Sequence, residues 1–213
     1  MKFSKKIAVV IVNWNSGEYL GECLRNLKSQ TLLPDRVFVV DNASTDGSME
    51  SLEENFQEWD FVALDKNTGF ASANNLAVKQ ATDCDWIAFL NPDAFAQADW
   101  LKNLMHATEQ YPDIKMFGSH MLGHNSDLLD GTGDIYHVSG VAWRRDHGMK
   151  SSEINRESGE IFSPCAAASL ISREAFLGVG GFDEHFFCYN EDVDLGFRLR
   201  LKGYRCIYVS DAV

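Results

Sequence analysis

The sequence predicts a mixed α/β fold whose mostly parallel sheet is flanked by helices, and two observations carry this prediction. The first is a repeating strand-and-helix pattern in the first ninety residues, with strands starting at 7, 37, 61 and 86. The intervals of 30, 24 and 25 residues between these starts are typical of consecutive parallel β-α-β units. The second is the run Ile-Ala-Val-Val-Ile-Val at 7–12, which is apolar without alternation. Such a run indicates a strand that is covered on both faces.

The first half of the chain, residues 1–94, offers a local reason for each element. Residues 15–18 (Asn-Ser-Gly-Glu) have the form of a capping box, and apolar residues at helical spacing follow them. A second helix is predicted from candidate caps at 44–46 and from the apolar residues Met49, Leu52, Phe56 and Trp59. The remaining predicted elements are strands at 37–40, 61–64 and 86–90 and a helix at 70–81.

The second half, residues 95–213, is predicted to be less regular. Residues 119–160 are rich in Gly, Ser, Asp and His and show weak periodicity, which favours loops or short hairpins. The other expected elements are a helix at 99–111, strands at 115–119, near 161–171 and at 204–209, a short helix from Arg173, and a helix from about Glu191 to Lys202. The two halves together predict a single domain over 1–213.

The composition is that of an ordinary globular protein and excludes some classes of function. Of 213 residues 45% are hydrophobic, and 19 basic against 31 acidic side chains give a formal charge of −12. This balance argues against a nonspecific nucleic-acid binder, because clustered Lys and Arg are needed to neutralise phosphates. Five cysteines without a CxxC pair suit a reducing compartment, and no stretch is apolar for long enough to span a bilayer. We therefore expect a cytoplasmic protein, or one at the inner face of the membrane.

Polar residues follow each of the first four predicted strands. Ligands of open α/β sheets bind beyond the carboxyl ends of the strands, so these segments should share one rim. The rim is rich in Asp and Asn and poor in cations, which suits ribose and base hydroxyls and a divalent metal that holds a diphosphate. Its segments are 13–16, 41–47, 65–69 and 91–93. The sequence contains no Walker-type phosphate loop, dinucleotide fingerprint or GxSxG elbow.

A second group of acidic residues lies at the start of the last predicted helix. Glu191, Asp192 and Asp194 fall at the start of this helix and basic residues towards its end, which matches the helix macrodipole. Carboxylates at the edge of a cleft would also supply a general base. Each of the three could instead be a helix cap, and Asp194 is our choice for that structural role. Trp143, beside two arginines in the irregular region, is the best candidate for stacking on a sugar.

Five sequence blocks carry a resemblance to a known family. They are VVIVNWNSGEYLGECLRNLKSQ at 9–30, VFVVDNASTDGS at 37–48, NTGFASANN at 67–75, FLNPDA at 89–94 and GGFDEHFFCYNEDVDLGFRLRLKGY at 180–204. With these blocks, in the family's order, the chain resembles family 2 glycosyltransferases of the GT-A fold and is most similar to rhamnosyltransferase-type members. The resemblance covers most of the chain apart from 119–160. It implies a Rossmann-like sheet with a nucleotide-sugar half, 1–94, and an acceptor-binding and catalytic half, 95–213.

The resemblance also implies roles for individual residues. Asp93 corresponds to the last position of the family's DxD metal motif, here relaxed to Asn91-Pro92-Asp93, and implies Mg²⁺ or Mn²⁺ as cofactor. Asp192 should be the catalytic base, with Glu191 as its competitor or as an acceptor ligand. The implied nucleotide-sugar-binding residues are Val12, Asn13, Asn15, Asp41, Asn42, Gly69, Asn74, Asn75, Asn91 and Asp93. Asp41 and Asp93 have a simpler interpretation as turn residues.

The expected activity is the transfer of a sugar from a nucleoside-diphosphate sugar, with inversion, to a hydroxyl of a glycan or lipid-linked acceptor in cell-surface polysaccharide synthesis. The donor implied first is dTDP-rhamnose, and a UDP-sugar is the second choice. One alternative is a nucleotide-sugar-binding module without catalysis, which would share the rim but lack a working base. Another is a sugar-phosphate nucleotidyltransferase, which would carry a Gly-rich, Arg-containing loop where this chain has Asn-Trp-Asn-Ser. A phosphoacceptor receiver domain also clusters Asp at strand ends. It would have about 120 residues and need a Lys after a fifth strand, and this chain offers neither.

The chain ends shortly after its last predicted strand, which suggests that more sequence follows. Family members that it resembles continue with a His, often a further ligand of the metal or the diphosphate, and then with a segment that commonly meets the membrane. Nothing in 205–213 supplies that His. We therefore expect a truncated or core part of a longer protein, with a peripheral membrane contact made by the segment that follows.

Overall fold

The computed structural model describes residues 4–49 and 52–213 of the chain. Its strands are β1 (Ile7–Asn13), β2 (Arg36–Asp41), β3 (Asp60–Ala63), β4 (Trp86–Leu90), β5 (Met116–Gly118), β6 (Met121–Leu122), β7 (Leu129–Gly131), β8 (Asp134–Tyr136), β9 (Ala142–Arg144), β10 (Gly159–Ile161), β11 (Ala168–Ser172) and β12 (Cys206–Tyr208). Its α-helices are α1 (Glu18–Lys28), α2 (Leu52–Asn55), α3 (Gly69–Gln80), α4 (Trp100–Gln110), α5 (Arg173–Gly178) and α6 (Glu191–Leu201).

Eight of these strands form one sheet in the order β10-β12-β5-β11-β4-β1-β2-β3. β1 pairs in parallel with both β2 and β4, and β2 pairs in parallel with β3. The antiparallel strand β11 is inserted between β4 and β5. The mostly parallel sheet confirms the predicted fold class. Because the four parallel strands end at the same edge, the residues that follow them share one side of the sheet.

Helices cover both faces of the sheet, as the unalternating first strand predicts. Ile7, Val9 and Ile11 of β1 pack into one core together with the apolar residues of α1 and α4. Ala8 and Val10 face the other core, which contains the apolar residues of α3 and α6. Successive residues of a strand point to opposite faces, so an apolar run without alternation is buried on both sides. No helix within 4–49 and 52–213 is both long enough and apolar enough to cross a bilayer.

The start of α1 differs from the predicted capping box. The cap position is Gly17, with φ of 57°, and no side chain caps the helix. Its N–H instead donates to the Asp46 carboxylate at 2.8 Å. The loop after β1 is therefore held by the loop after β2, a contact between distant residues that a local motif does not reveal.

The predicted second helix is much shorter than expected. α2 spans only Leu52–Asn55, and residues 50–51 of the prediction lie outside the described parts of the chain. Phe56 and Trp59 lie beyond the helix and stack on each other, with ring centroids 4.7 Å apart. The chain then enters β3 directly, so the apolar residues at helical spacing belong to a packed turn.

The strand predicted near 161–171 is wrong, because it is two strands that pair with different partners. β10 pairs with β12, whereas β11 pairs with β4 and β5. Residues 163–167 lie between them outside any strand, and Pro164 among them has no N–H for a ladder. We call residues 163–167 the bridge segment. The region 119–160 contains the expected short hairpins, β6-β7 and β8-β9.

Helix α6 packs directly on the bridge segment through a glycine. A Cβ added to Gly196 would lie 2.4 Å from Cβ and 3.3 Å from Cα of Ser163. This close approach sets how near α6 comes to the bridge segment.

Gly196→Ala should therefore destabilise the fold by about 1–3 kcal/mol, the usual cost of forcing atoms into a packed contact. Gly178→Ala is the matched control, because no atom lies within 4 Å of a Cβ at that position. Urea unfolding of both variants gives the free energies. Equal stability of the two would contradict the tight packing of α6 on the bridge segment.

Candidate active site

A cavity of about 890 Å³ opens between the end of β4 and the start of α6. Its size is in the range of pockets that hold small molecules. The acidic residues in its lining are Asp93, Asp130, Asp134, Glu191 and Asp192. Arg144 is the only Lys or Arg among the lining residues that the structure describes. The cavity is therefore strongly acidic.

The turn after β4 contributes Asn91 and Asp93 to this cavity. The Asn91 N–H donates to the carbonyl of Ala167 at 2.8 Å, and the N–H of Ala94 closes the turn onto the Asn91 carbonyl. The Asp93 side chain is exposed, whereas the side-chain oxygen of Asn91 is buried and has no partner within the described chain. A buried acceptor without a donor is costly, so this atom points to a ligand or an ordered water.

Asp192, in the first turn of α6, has a fixed carboxylate. One oxygen accepts from the N–H of Ala166 in the bridge segment at 3.1 Å, and the other accepts from the N–H of Val193 at 2.8 Å. Each carboxylate oxygen can accept further bonds. The group is therefore held in one orientation and still has lone pairs for a substrate.

Glu191 is the most buried acid of the cavity, with 5% of its surface exposed. Its Oε2 atom has no hydrogen-bond partner in the part of the chain that the structure covers. Burial, with repulsion from Asp192 as the smaller cause, raises the pKa of Glu191 to about 7. At neutral pH this carboxyl can thus carry a proton and donate a hydrogen bond.

The start of α6 corrects one expectation about caps. Asn190 occupies the cap position in the left-handed conformation, and no side chain caps the helix. Asp194, predicted as a cap, instead pairs with Arg198 one turn along the helix, at 2.7 Å. Tyr189 and Asn190 both have positive φ, of 72° and 67°. Consecutive non-glycine residues in this region are strained, and both line the cavity.

The hairpin β8-β9 forms another wall of the cavity. Trp143, the predicted stacking residue, lines the cavity with 48% of its surface exposed. The neighbouring Asp134 is buried, and burial together with repulsion from Asp192 raises its pKa to about 6. Asp130, Asp134 and Arg144 were not among the predicted site residues. The sequence feature that could have identified them is the pair of aspartates that flanks Gly-Thr-Gly at 131–133, because short polar side chains beside glycines are common in ligand-binding loops.

The predicted nucleotide residues at the ends of β1 and β2 and in the loop after β1 form a separate hydrogen-bond network, buried at Asn13 and Asp41 and exposed at Asn15. The Asn13 amide donates to the Asp41 carboxylate at 2.9 Å and contacts the hydroxyl of Ser48 at 2.9 Å. The side chain of Asn15 accepts from the N–H of Thr45. These residues and Val12, which is buried, lie outside the lining of the cavity. Their contribution to nucleotide binding stays a prediction.

The predicted nucleotide residues on α3 and before it also bond within the protein. The side chain of Asn42 accepts from Thr68 N–H and donates to the Gly69 carbonyl, and Asn74 donates to the carbonyl of Phe70. Asn75 bonds to both the N–H and the carbonyl of Phe182 and to the Glu184 carboxylate. None of these four predicted residues is in the cavity lining, although Phe70 is. The structure thus brings together Asn91, Asp93, Trp143, Glu191 and Asp192.

Known proteins share this fold over almost the whole chain. The crystal structure of GalNAc-T7 with UDP, GalNAc and Mn²⁺ superposes with a TM-score of 0.77 at 13% sequence identity, over 96% of this chain and 42% of that chain. This chain therefore spans less than half of the length of that protein. At such low identity the likeness establishes the GT-A fold alone.

Curated proteins are similar in sequence as well. The N-acetylglucosaminyl-diphospho-decaprenol L-rhamnosyltransferase of Mycobacterium tuberculosis is 28% identical, over 97% of this chain and 74% of its own length. The rhamnosyltransferase WbbL of Escherichia coli K12 is 27% identical, over 95% of this chain and 80% of its own length. The sequence also matches the profile of Glycosyl transferase family 2 over residues 8–179. That match covers most of the chain, and the protein belongs to glycosyl transferase family 2.

Proposed function

We propose that the protein transfers a sugar from a nucleoside-diphosphate sugar to a hydroxyl of a glycan or lipid-linked acceptor, with inversion at the anomeric carbon. The observation that carries the proposal is the placement of two acidic groups on one cavity. The Asn91–Asp93 turn lines it from the end of β4, and Asp192 lines it from the start of α6. The cavity is large enough for a sugar nucleotide and a second sugar to meet within it.

In this proposal Asp192 is the general base. Its carboxylate accepts the proton of the acceptor hydroxyl while that oxygen attacks the anomeric carbon, and the bond from this carbon to the diphosphate breaks. The two backbone N–H donors of Asp192 support this role, because they fix the orientation of the carboxylate and leave lone pairs for a substrate. Burial raises the pKa of Glu191, the competing candidate, to about 7, so part of it is protonated at neutral pH and can donate a hydrogen bond to the acceptor.

The residues around Asp93 fit a divalent cation. The exposed Asp93 carboxylate and the unpartnered side-chain oxygen of Asn91 are hard oxygen donors. Within residues 4–49 and 52–213 no cluster of three His, Cys, Asp or Glu side chains could hold a metal. Mg²⁺ or Mn²⁺ would thus be held by Asp93 and by diphosphate oxygens and waters, as Mg²⁺ usually is. When bound, the cation would neutralise the charge that develops on the leaving diphosphate.

The donor proposed first is dTDP-rhamnose, with a UDP-sugar as the second choice. The support for rhamnose is that both curated relatives described above are named rhamnosyltransferases. UDP is present in the GalNAc-T7 structure, which shares the fold. For the acceptor we propose Trp143 and Glu191 as contacts, since a half-exposed indole stacks on sugar rings and a protonated carboxyl donates to a hydroxyl. A role in cell-surface polysaccharide synthesis at the inner face of the membrane follows from such an acceptor.

A binding module without catalysis is the main alternative, and one substitution separates the two. Asp192→Asn should leave donor affinity unchanged and lower kcat by about 10²–10⁴-fold, the usual scale for a general base. The measurement is release of nucleoside diphosphate from dTDP-rhamnose and from UDP-N-acetylglucosamine with a polyprenyl-diphospho-sugar acceptor. Glu191→Gln is the matched comparison. Near-normal kcat of Asp192→Asn together with an inactive Glu191→Gln would transfer the role of base to Glu191.

The second prediction concerns the cation. An acidic cavity repels a diphosphate unless a cation lies between them, so affinity for UDP or dTDP should rise when Mn²⁺ or Mg²⁺ is added. Asp93→Ala should abolish this increase, whereas Asp113→Ala, at an exposed position outside the cavity lining, should keep it. Isothermal titration calorimetry with metal and with EDTA measures both. Equal nucleotide affinity of the wild-type protein under the two conditions would refute a metal at Asp93.

The third prediction follows from the raised pKa of Glu191. In the unfolded chain this carboxyl ionises near its ordinary pKa of 4.5, but in the folded protein it keeps its proton up to about pH 7. Folded protein therefore binds more protons, and its stability falls across this window by up to about 1.4 kcal/mol per pH unit. Glu191→Gln should flatten this dependence and be more stable than wild type at about pH 8.

Urea unfolding at about pH 4 and about pH 8 measures this effect. Glu22→Gln, at an exposed position, is the control, and its free energy of unfolding should equal that of the wild type at both pH values. Glu191→Gln should differ from the wild type only at the higher pH. If Glu191→Gln were no more stable than the wild type at the higher pH, Glu191 would be ionised at no cost in the folded protein.

A further inference from the structure

The orientation of Asp192 depends on a segment without regular structure. Its Oδ2 atom bonds to the N–H of Ala166, which lies in the bridge segment between β10 and β11. The same segment accepts the N–H of Asn91 through the carbonyl of Ala167. The bridge segment thus contacts both the turn that carries Asp93 and the carboxylate of Asp192. Whatever holds its middle also sets the relative position of these two groups.

Arg144 holds the middle of the bridge segment from the opposite hairpin. Its Nη2 atom donates to the Sγ atom of Cys165 at 2.8 Å, and its Nη1 atom pairs with the Asp130 carboxylate at 2.5 Å. Burial and repulsion from Asp192 raise the pKa of the Cys165 thiol to about 12, so the sulfur accepts as a neutral thiol. The planar guanidinium can make both bonds at once because its donors form a rigid fork.

Gly131 gives Arg144 the room to reach this position. A Cβ at Gly131 would lie 2.3 Å from both Cγ and Cδ of Arg144. These atoms belong to the middle of the side chain, so a methyl group at residue 131 must displace the whole guanidinium. Gly131 ends β7 and Arg144 ends β9, which places the pair where the two hairpins meet the cavity.

We propose that Arg144, seated on Gly131, is a positioning residue that orients the Asp192 carboxylate through Cys165 and Ala166. The inference rests on the proposed function, because it assigns Arg144 to the same base. Arg144 accepts no proton and forms no bond to the transferred sugar. It keeps the bridge segment in the place where the Ala166 N–H meets Asp192, and misplacement of a catalytic group by about 1 Å can lower a rate by about 10²-fold.

Two variants test the proposal in different ways. Gly131→Ala displaces the guanidinium while its charge remains, and Arg144→Gln removes the charge while Gly131 remains. Gly159→Ala and Arg205→Gln are the matched controls. A Cβ at Gly159 would have no atom closer than 3.9 Å. Arg205 is exposed, and its ion pair with Glu160 is long, at 3.8 Å. If Arg144→Gln does not fold, Arg144→Lys replaces it, since lysine keeps the charge without the two-pronged geometry.

The first readout needs no substrate. Exchange of the Ala166 amide proton with solvent, followed by NMR, should accelerate by about tenfold or more in both test variants, because the bond to Asp192 is loosened. Asp192→Ala, which removes the acceptor, serves as the positive control. The matched controls should exchange at the wild-type rate. Wild-type exchange at Ala166 in both test variants would overturn the proposal.

The second readout is the division of the effect between kcat and KM. With dTDP-rhamnose as the probe, kcat should fall by about 10²-fold while the donor KM stays close to wild type. A loss of folded protein would lower the apparent kcat in the same way, so kcat is calculated per folded protein, with the folded fraction measured by circular dichroism. Unchanged kcat in both test variants would overturn the proposal. Turnover that is insensitive to Asp192→Asn would instead refute the proposed function, and the Ala166 exchange then still decides whether Arg144 holds this carboxylate.

Discussion

The hydrogen bonds of the bridge segment are the constraint on which the site depends. β11 lies antiparallel beside β4 and pairs Ala168 with Leu90, so the segment before β11 necessarily meets the end of β4. There the Ala167 carbonyl accepts the N–H of Asn91, and one residue earlier the Ala166 N–H reaches Asp192. A single antiparallel strand in an otherwise parallel region thus brings the turn of Asp93 and the first turn of α6 to one cavity.

The acidity of the cavity shapes its chemistry. Among the residues that the structure describes, five carboxyl groups and a single arginine line it, and the two most buried of these carboxyls, Glu191 and Asp134, both have raised pKa values. Burial disfavours their ionised forms, and the negative charge of Asp192 adds to the effect. Glu191 and Asp134 therefore keep their protons to a higher pH than free carboxyls do, whereas the Asp192 carboxylate is held by two backbone N–H groups. The cation proposed beside Asp93 would offset the repulsion between this cavity and an anionic diphosphate.

Much of the fold and part of the site could be predicted from the sequence. The apolar run of β1 and the spacing of the strands predicted the sheet, and Asn91, Asp93, Trp143, Glu191 and Asp192 were predicted as site residues that the structure then brings to one cavity. The capping box at 15–18 and the strand near 161–171 failed because contacts between distant residues replaced the local pattern. Arg144 could not be assigned from the sequence, since its role depends on Asp130 and Cys165, which are 14 and 21 residues away.

The measurement that tests the central claim most directly is a crystal structure of the protein with Mn²⁺ and either UDP or dTDP. Anomalous signal from manganese is expected beside the Asp93 carboxylate, with a diphosphate inside the cavity on the side that faces Asp192. The Asp192 carboxylate should keep its bond to the Ala166 N–H in that complex. A diphosphate bound outside the cavity, or manganese held by Asp130 and Asp134 instead of Asp93, would contradict this placement.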